Sequence, residues 1–205
     1  FSGGLTVNSG YVSGDSDAAY GTGTILLDGG GLQLASDLSR DVELGANNGS
    51  LQVATGSSYH FSGQLTGTGA LAKTGAGTLI YTGLGSQSMV LQVDEGTFQV
   101  GEGQLGALLG DVSVASGATL AFARDDLTQY DGIIDGSGDV VKNGSGELVL
   151  TGDQLFTGER HIATGSGRRG YGGTTGSLNG GVELDAGTEL LVDHTGTATI
   201  SGNLT

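Results

Sequence analysis

Gly67–Gly83 reads GTGALAKTGAGTLIYTG, and Gly136–Gly152 reads GSGDVVKNGSGELVLTG. Lys73 falls on Lys142, Leu79 on Leu148 and Thr82 on Thr151. Extended back to Phe61 and Tyr130, the match runs 23 residues without a gap, nine of them identical and six of those glycine. Shuffled sequence of this composition gives roughly two identities over that length, so the chain carries an internal repeat. Working outward, FSGGLT opens the chain at Phe1–Thr6, FSGQLT follows at Phe61–Thr66, YDGIID at Tyr130–Asp135, and ISGNLT closes it at Ile200–Thr205. A second family keeps the same beat at intervals of 70: Val42-Glu-Leu44, Val112-Ser-Val114 and Val182-Glu-Leu184.

The elements inside each unit are short. Ile25-x-Leu27, Leu32-x-Leu34, Leu51-x-Val53, Leu91-x-Val93, Phe98-x-Val100 and Leu120-x-Phe122 are alternating apolar doublets separated by Gly, Asn, Asp or Ser. Alternation sends both apolar residues to one face of a strand and leaves Gln33, Gln52, Gln92, Gln99, Ser113 and Glu183 outward. No stretch keeps a helical period beyond about one turn; Gln104–Leu109, the nearest, reads as a loop. The chain is therefore all-β. Strands this short could build a sandwich or a barrel, but a long period favours a solenoid, in which like residues stack above like. Three coils per unit gives about 23 residues per coil and about nine coils. On that reading Phe1, Phe61, Tyr130 and Ile200 share one inner ladder. The 205 residues form a single β-helix with units at about 1–60, 61–129 and 130–199, the fragment of a longer rod.

The pattern G-x-G-x-L-x-K-x-G-x-G-x-L-x-L-T-G, followed by an aromatic-Thr-Gly, resembles the passenger-associated strand repeat of bacterial autotransporters. Here it reads GSGDVVKNGSGELVLTGDQLFTGERHIATG from Gly136 to Gly165. The copy at Gly67–Gly83 departs afterwards, where Gly85-Ser-Gln-Ser-Met-Val replaces the aromatic-Thr-Gly. GDVSVASGATLAF (Gly110–Phe122) and GGVELDAGTELLV (Gly180–Val192) resemble the filler between such repeats. The resemblance implies a right-handed parallel β-helix, export through the outer membrane and a place on the bacterial surface or outside the cell. It implies membrane contact only through a C-terminal β-barrel that these 205 residues do not include.

Twenty-two Asp and Glu face seven Lys and Arg, a formal charge of −15. That field repels phosphate backbones and anionic lipid, which sets nucleic-acid binding aside. Cysteine is absent, which excludes disulfides, thiolate chemistry and Cys-ligated zinc, and spares an exported chain from disulfides that would block its transit. Proline is absent too, so the 43 glycines are not collagen or a Pro/Gly linker.

Candidate chemistry is thin. His60, His161 and His194 fall at no metal-ligand spacing, and no metal or cofactor is expected. Gly14–Ala18 (GDSDA) echoes the GDS of serine hydrolases, but Asp17 stands where the protease version has Gly and no base is nominated. Gly165-x-Gly167-x-x-Gly170 matches a dinucleotide fingerprint by accident of composition, with no helix to follow it. One departure carries a hypothesis. Arg160, Arg168 and Arg169 lie within ten positions, beside His161 and Tyr171. GSGRRGYGGTTG (Gly165–Gly176) is too glycine-rich for a coil wall and reads as a protruding loop at 165–176. Its arginine forks would take carboxylates or sulfated sugars and Tyr171 would stack on them; the plainer reading is a loop of solvated charges.

The expected function is a non-enzymatic, adhesive β-helical rod. Its partners would be a host glycan or protein, or sister molecules in aggregation and biofilm. The alternative is a non-catalytic stalk and folding scaffold for a protease, esterase or toxin whose active domain lies upstream.

Overall fold

The computed structural model describes residues 3–86, 89–173, 180–195 and 202–205, with the side chains of residues 171–173 and 194 outside the description. Every pairing between strands of the sheets is parallel, and the chain winds as a β-solenoid of about nine turns. Each coil crosses up to three walls in a fixed order. The second wall is a seven-stranded sheet from Tyr11–Gly14 through Gly31–Leu34, Gly49–Val53, Ala70–Thr74, Val90–Val93 and Asp111–Val114 to Ile134–Gly136. The third is also seven-stranded: Ser58–Phe61, Thr78–Tyr81, Thr97–Gly103, Thr119–Arg124, Asp139–Asn143, Arg160–Ile162 and Val182–Leu184. The first wall comes in two four-stranded halves. One is Leu5–Val7, Ile25–Leu27, Val42–Leu44 and Leu65–Gly67; the other is Thr128–Tyr130, Glu147–Leu150, Ser166–Gly173 and Glu189–His194. Between the halves, among the described residues, the isolated bridges Leu65–Gly85 and Leu84–Ala107 mark it. The helical content among the described residues is one 3-10 turn at Asp17–Tyr20.

The doublets do what alternation predicts. Leu71, Leu91, Val112 and Ile134 form one buried ladder on the second wall. Leu79, Phe98, Leu120 and Val140 form another on the third. Tilted ring pairs reinforce the core at Phe61–Tyr81, Tyr81–Phe98 and Phe122–Tyr130, with centroids 5.1, 5.9 and 5.5 Å apart.

The stacking of repeat equivalents is a correction. Val42 lies on the first wall, Val112 on the second and Val182 on the third. Phe61 stacks on Tyr81 in the third wall, whereas Tyr130 stacks on Leu150 in the first. Residues seventy apart therefore do not share a ladder; Phe1 and Ile200 lie outside the described residues. The reason is coil length. The ladder Leu71, Leu91, Val112, Ile134 advances by 20, 21 and 22 residues, not 23. One unit thus spans three coils and a third, and each repeat starts one wall further round. The solenoid itself rests on the parallel pairing, which this shift leaves intact.

What the repeat preserves is local chemistry at the corners. Gly67 pairs with Leu44 and Gly136 with Val114, two steps of the same repeat on different walls. Their φ angles are 100° and 101°, and a Cβ would sit 2.2 Å from the Leu44 carbonyl oxygen and 2.1 Å from that of Val114. Only glycine fits there. Lys73 and Lys142 are both buried, each in a cage of three carbonyls. Lys73 Nζ donates to the oxygens of Thr74 (3.3 Å), Gly75 (2.6 Å) and Glu95 (2.8 Å). Lys142 Nζ donates to those of Asn143 (2.8 Å), Gly144 (2.7 Å) and Thr164 (3.3 Å).

The acidic composition also has a structural use. Carboxylate or amide oxygens of Asp28, Asp37, Asp41, Asn48, Asp111, Asp125 and Asp139 each accept the backbone N–H of a residue one coil on, at 2.8–2.9 Å. They carry the hydrogen-bond ladder past corners where the backbone turns out of register. Asp17 of the GDSDA stretch does the same for Ser39, accepting from its N–H at 3.1 Å and its hydroxyl at 2.6 Å.

Candidate functional site: the basic coil

The loop expected at 165–176 is a correction as well. Ser166–Gly173 is a strand of the first wall, paired with Glu147–Leu150 on one side and Glu189–His194 on the other. Residues 174–176 lie outside the described residues. Glycine density concealed the strand, because two flanking strands template an extended backbone that composition alone does not favour.

Alternation then separates the arginines instead of clustering them on a spur. Arg168 points outward, where its Nε donates to Glu147 Oε1 at 2.6 Å and its Nη1 lies 3.6 Å from Asp193 Oδ2. Arg169 points inward and is buried, its Nη1 donating to the Leu150 carbonyl at 3.2 Å. Arg160 is buried also, its guanidinium carbon 4.7 Å from the centroid of the Phe156 ring. Burial, helped by the positive charge of Arg169, pulls the Arg160 guanidinium down to about 10; burial lowers Arg169 too, opposed by Asp153. Tyr171 contributes backbone to the strand, and its side chain is outside the described residues. The five residues Arg160, His161, Arg168, Arg169 and Tyr171 thus do not form one outward binding surface.

His161 does gain outward company. It pairs in register with Glu183 on the next strand, and its Nε2 lies 3.1 Å from Asp185 Oδ1. One donor atom from each of His161, Glu183 and Asp185 lies within 4.8 Å of the others, a set with the chemistry to take a divalent cation.

A second exposed feature escaped the sequence reading. Leu84, Leu105 and Leu127, each about 60 % or more exposed, belong to three successive coils where the first wall is interrupted or resumes. Leu109, four residues after Leu105, is exposed also. The signal was available, since each leucine stands outside the alternating doublets.

Two relatives are similar in sequence. The adhesin BmaC autotransporter of Brucella suis is 34 % identical over 124 residues, 59 % of this chain and 3 % of its own length. The probable autotransporter YfaL of Escherichia coli is 30 % identical over 187 residues, 83 % of this chain and 14 % of its own length. The chain therefore spans only a small part of either relative. No protein-family profile matches it, and no solved structure does.

Proposed function

We propose that this chain, a β-solenoid segment of the autotransporter passenger type, serves as an adhesive, non-catalytic rod displayed at a bacterial surface after export through the outer membrane. The similarity to a relative named an adhesin carries the reading. The structure supports it through its outer faces. Gln33 stacks on Gln52, and Gln92 on Ser113, giving hydrogen-bonding rows on a scaffold held by parallel ladders. Such rows make many weak contacts that gain strength through avidity. The exposed leucines at 84, 105 and 127 add apolar contact area. Partners of this kind are a host glycan or protein, or a second rod on a sister cell. With a formal charge of −15, rod-to-rod contact should strengthen as salt rises.

The test coats beads with the purified segment and counts attachment to host cells and to cells displaying the same segment. Attachment above that of beads carrying an unrelated acidic β-solenoid, reduced by Leu84→Ser/Leu105→Ser/Leu127→Ser, is expected. Attachment no greater than that control would overturn the adhesive reading and leave a spacer.

A further inference from the structure

Four of the seven basic residues occupy inward positions on apolar rows: Lys73 and Lys142, in their carbonyl cages, and the arginines Arg160 and Arg169. On the third wall the buried row runs Leu79, Phe98, Leu120, Val140, Arg160, Val182. On the first it runs Tyr130, Leu150, Arg169 and ends on the half-buried Val192. Arg160 and Arg169 are 3 % and 4 % exposed, so both guanidinium groups lie within the tube. Among the described residues, Arg160 Nη1 and Nη2 and Arg169 Nε have no hydrogen-bond partner. Lys142, a third buried cation nearby, differs because its three carbonyls satisfy every N–H it has. A buried charge without compensation is among the most costly features a core can hold.

Among the described residues no carboxylate pairs with these atoms; Asp153 acts on Arg169 only from beyond ion-pair distance. The ion pairs of the described residues use Arg40, Arg124 and Arg168 and the histidines, not Arg160 or Arg169. The residues outside the description contain neither Asp nor Glu.

The same place has room. Gly167 pairs with Leu148 on one side and Leu190 on the other, so one inward position in a leucine row lacks a side chain. Beside it lies a cavity lined by Arg160, Arg169 and Lys142 with Leu148, Leu150 and Leu190. Its volume is about 10 Å³, enough for one small occupant and too little for a tetrahedral oxyanion. A water there would accept hydrogen bonds but leave both charges standing.

We infer that this cavity binds one small monovalent inorganic anion of chloride size, held between the guanidinium groups of Arg160 and Arg169. The ion supplies the acceptor that the unpaired N–H groups lack and brings two positive charges to one. It enters as these coils close on one another, which makes it a component of folding in a strongly acidic protein that otherwise repels anions.

The test follows the unfolding midpoint at constant ionic strength while sodium chloride replaces sodium gluconate, whose anion is too large to enter. The wild type is expected to rise by a few degrees over a hundredfold increase in chloride, and Arg40→Ser to rise equally, because Arg40 pairs with Asp17 several coils away from the cavity. Arg160→Met/Arg169→Met is expected to show no chloride dependence. If that variant does not fold, bromide diffused into wild-type crystals serves instead, with one anomalous peak within about 3.5 Å of the two guanidinium groups expected. A wild-type midpoint indifferent to chloride, an equal response in the double variant, or no bromide peak at that position would each overturn the proposal. None of these readouts depends on adhesion.

Discussion

Raising the pH from about 7 to 9.5 should stabilise this protein, and Lys73 gives the reason. Its ammonium lies in the core, where burial pulls its pKa from the ordinary 10.5 to about 8, partly opposed by the charge of Glu95. Below pH 8 the folded state must keep a buried positive charge that the unfolded chain keeps in water. Between pH 8 and 10.5 the folded amine releases its proton while the unfolded one retains it, so stability climbs with pH. With those two pKa values the gain between pH 7 and 9.5 is about 2 kcal/mol, and Lys142, lowered by the same burial, adds to it. Above about pH 10 the trend reverses. Burial raises the Tyr81 and Tyr130 phenols, so the unfolded chain ionises first and their contribution is lost as pH rises. The assay is urea unfolding followed by far-ultraviolet circular dichroism in half-unit pH steps, on the wild type and on Lys73→Met. Subtracting the two profiles removes the background of net charge and leaves the Lys73 contribution. A difference profile that is level to within about 0.5 kcal/mol between pH 7.5 and 9.5, or that slopes the other way, would refute the reasoning.

Other expectations are shorter to state. Gly136→Ala should cost about 2–4 kcal/mol, because its positive φ and the Val114 carbonyl both exclude a Cβ; Gly10→Ala, at a positive φ with nothing within 4 Å, should cost about 1. Leu71→Ala, deep in the second-wall ladder, should lower stability by about 2–5 kcal/mol in the same denaturation assay. On acidification, hydrogen bonds from the Ser145 N–H and hydroxyl hold Asp125 below its ordinary value, and the Arg124 fork does the same for Asp126. Their contribution is present above the unfolded carboxylate range and lost as pH falls through the lowered values, so Asp125→Asn/Asp126→Asn should flatten the acid limb of the stability profile. Arg168→Ser removes a surface ion pair with Glu147 and should change stability by less than about 1 kcal/mol.

The sequence made the class of fold readable because its signals are local. Doublets such as Leu91-x-Val93 sit on strands with both apolar residues inward, and glycines such as Gly67 mark corners. The number of coils per unit was not readable, since it depends on how far the chain travels before closing on itself. That distance varies here, from 17 residues between Ile25 and Val42 to 23 between Val42 and Leu65. A repeat counted in residues does not reveal a fractional turn. The basic coil failed for a related reason. Arg160 and Arg169 look like surface residues by type, and only the register, 20 residues on from Val140 and 19 on from Leu150, shows them on inner rows. Lys142 could have given the warning. It equals Lys73 in the repeat and is buried like it, so a cation in this chain is no guide to the outside.

The advance of one wall per unit governs how the rod is presented to its surroundings. A surface patch copied by internal duplication does not line up along one side like buttons on a coat. Successive copies face directions a third of a revolution apart, each about 16 Å further along the axis, and the fourth returns to the heading of the first. A molecule built by adding such units is decorated on all sides like a bottlebrush, and an approaching surface meets a copy whichever way the rod has rolled.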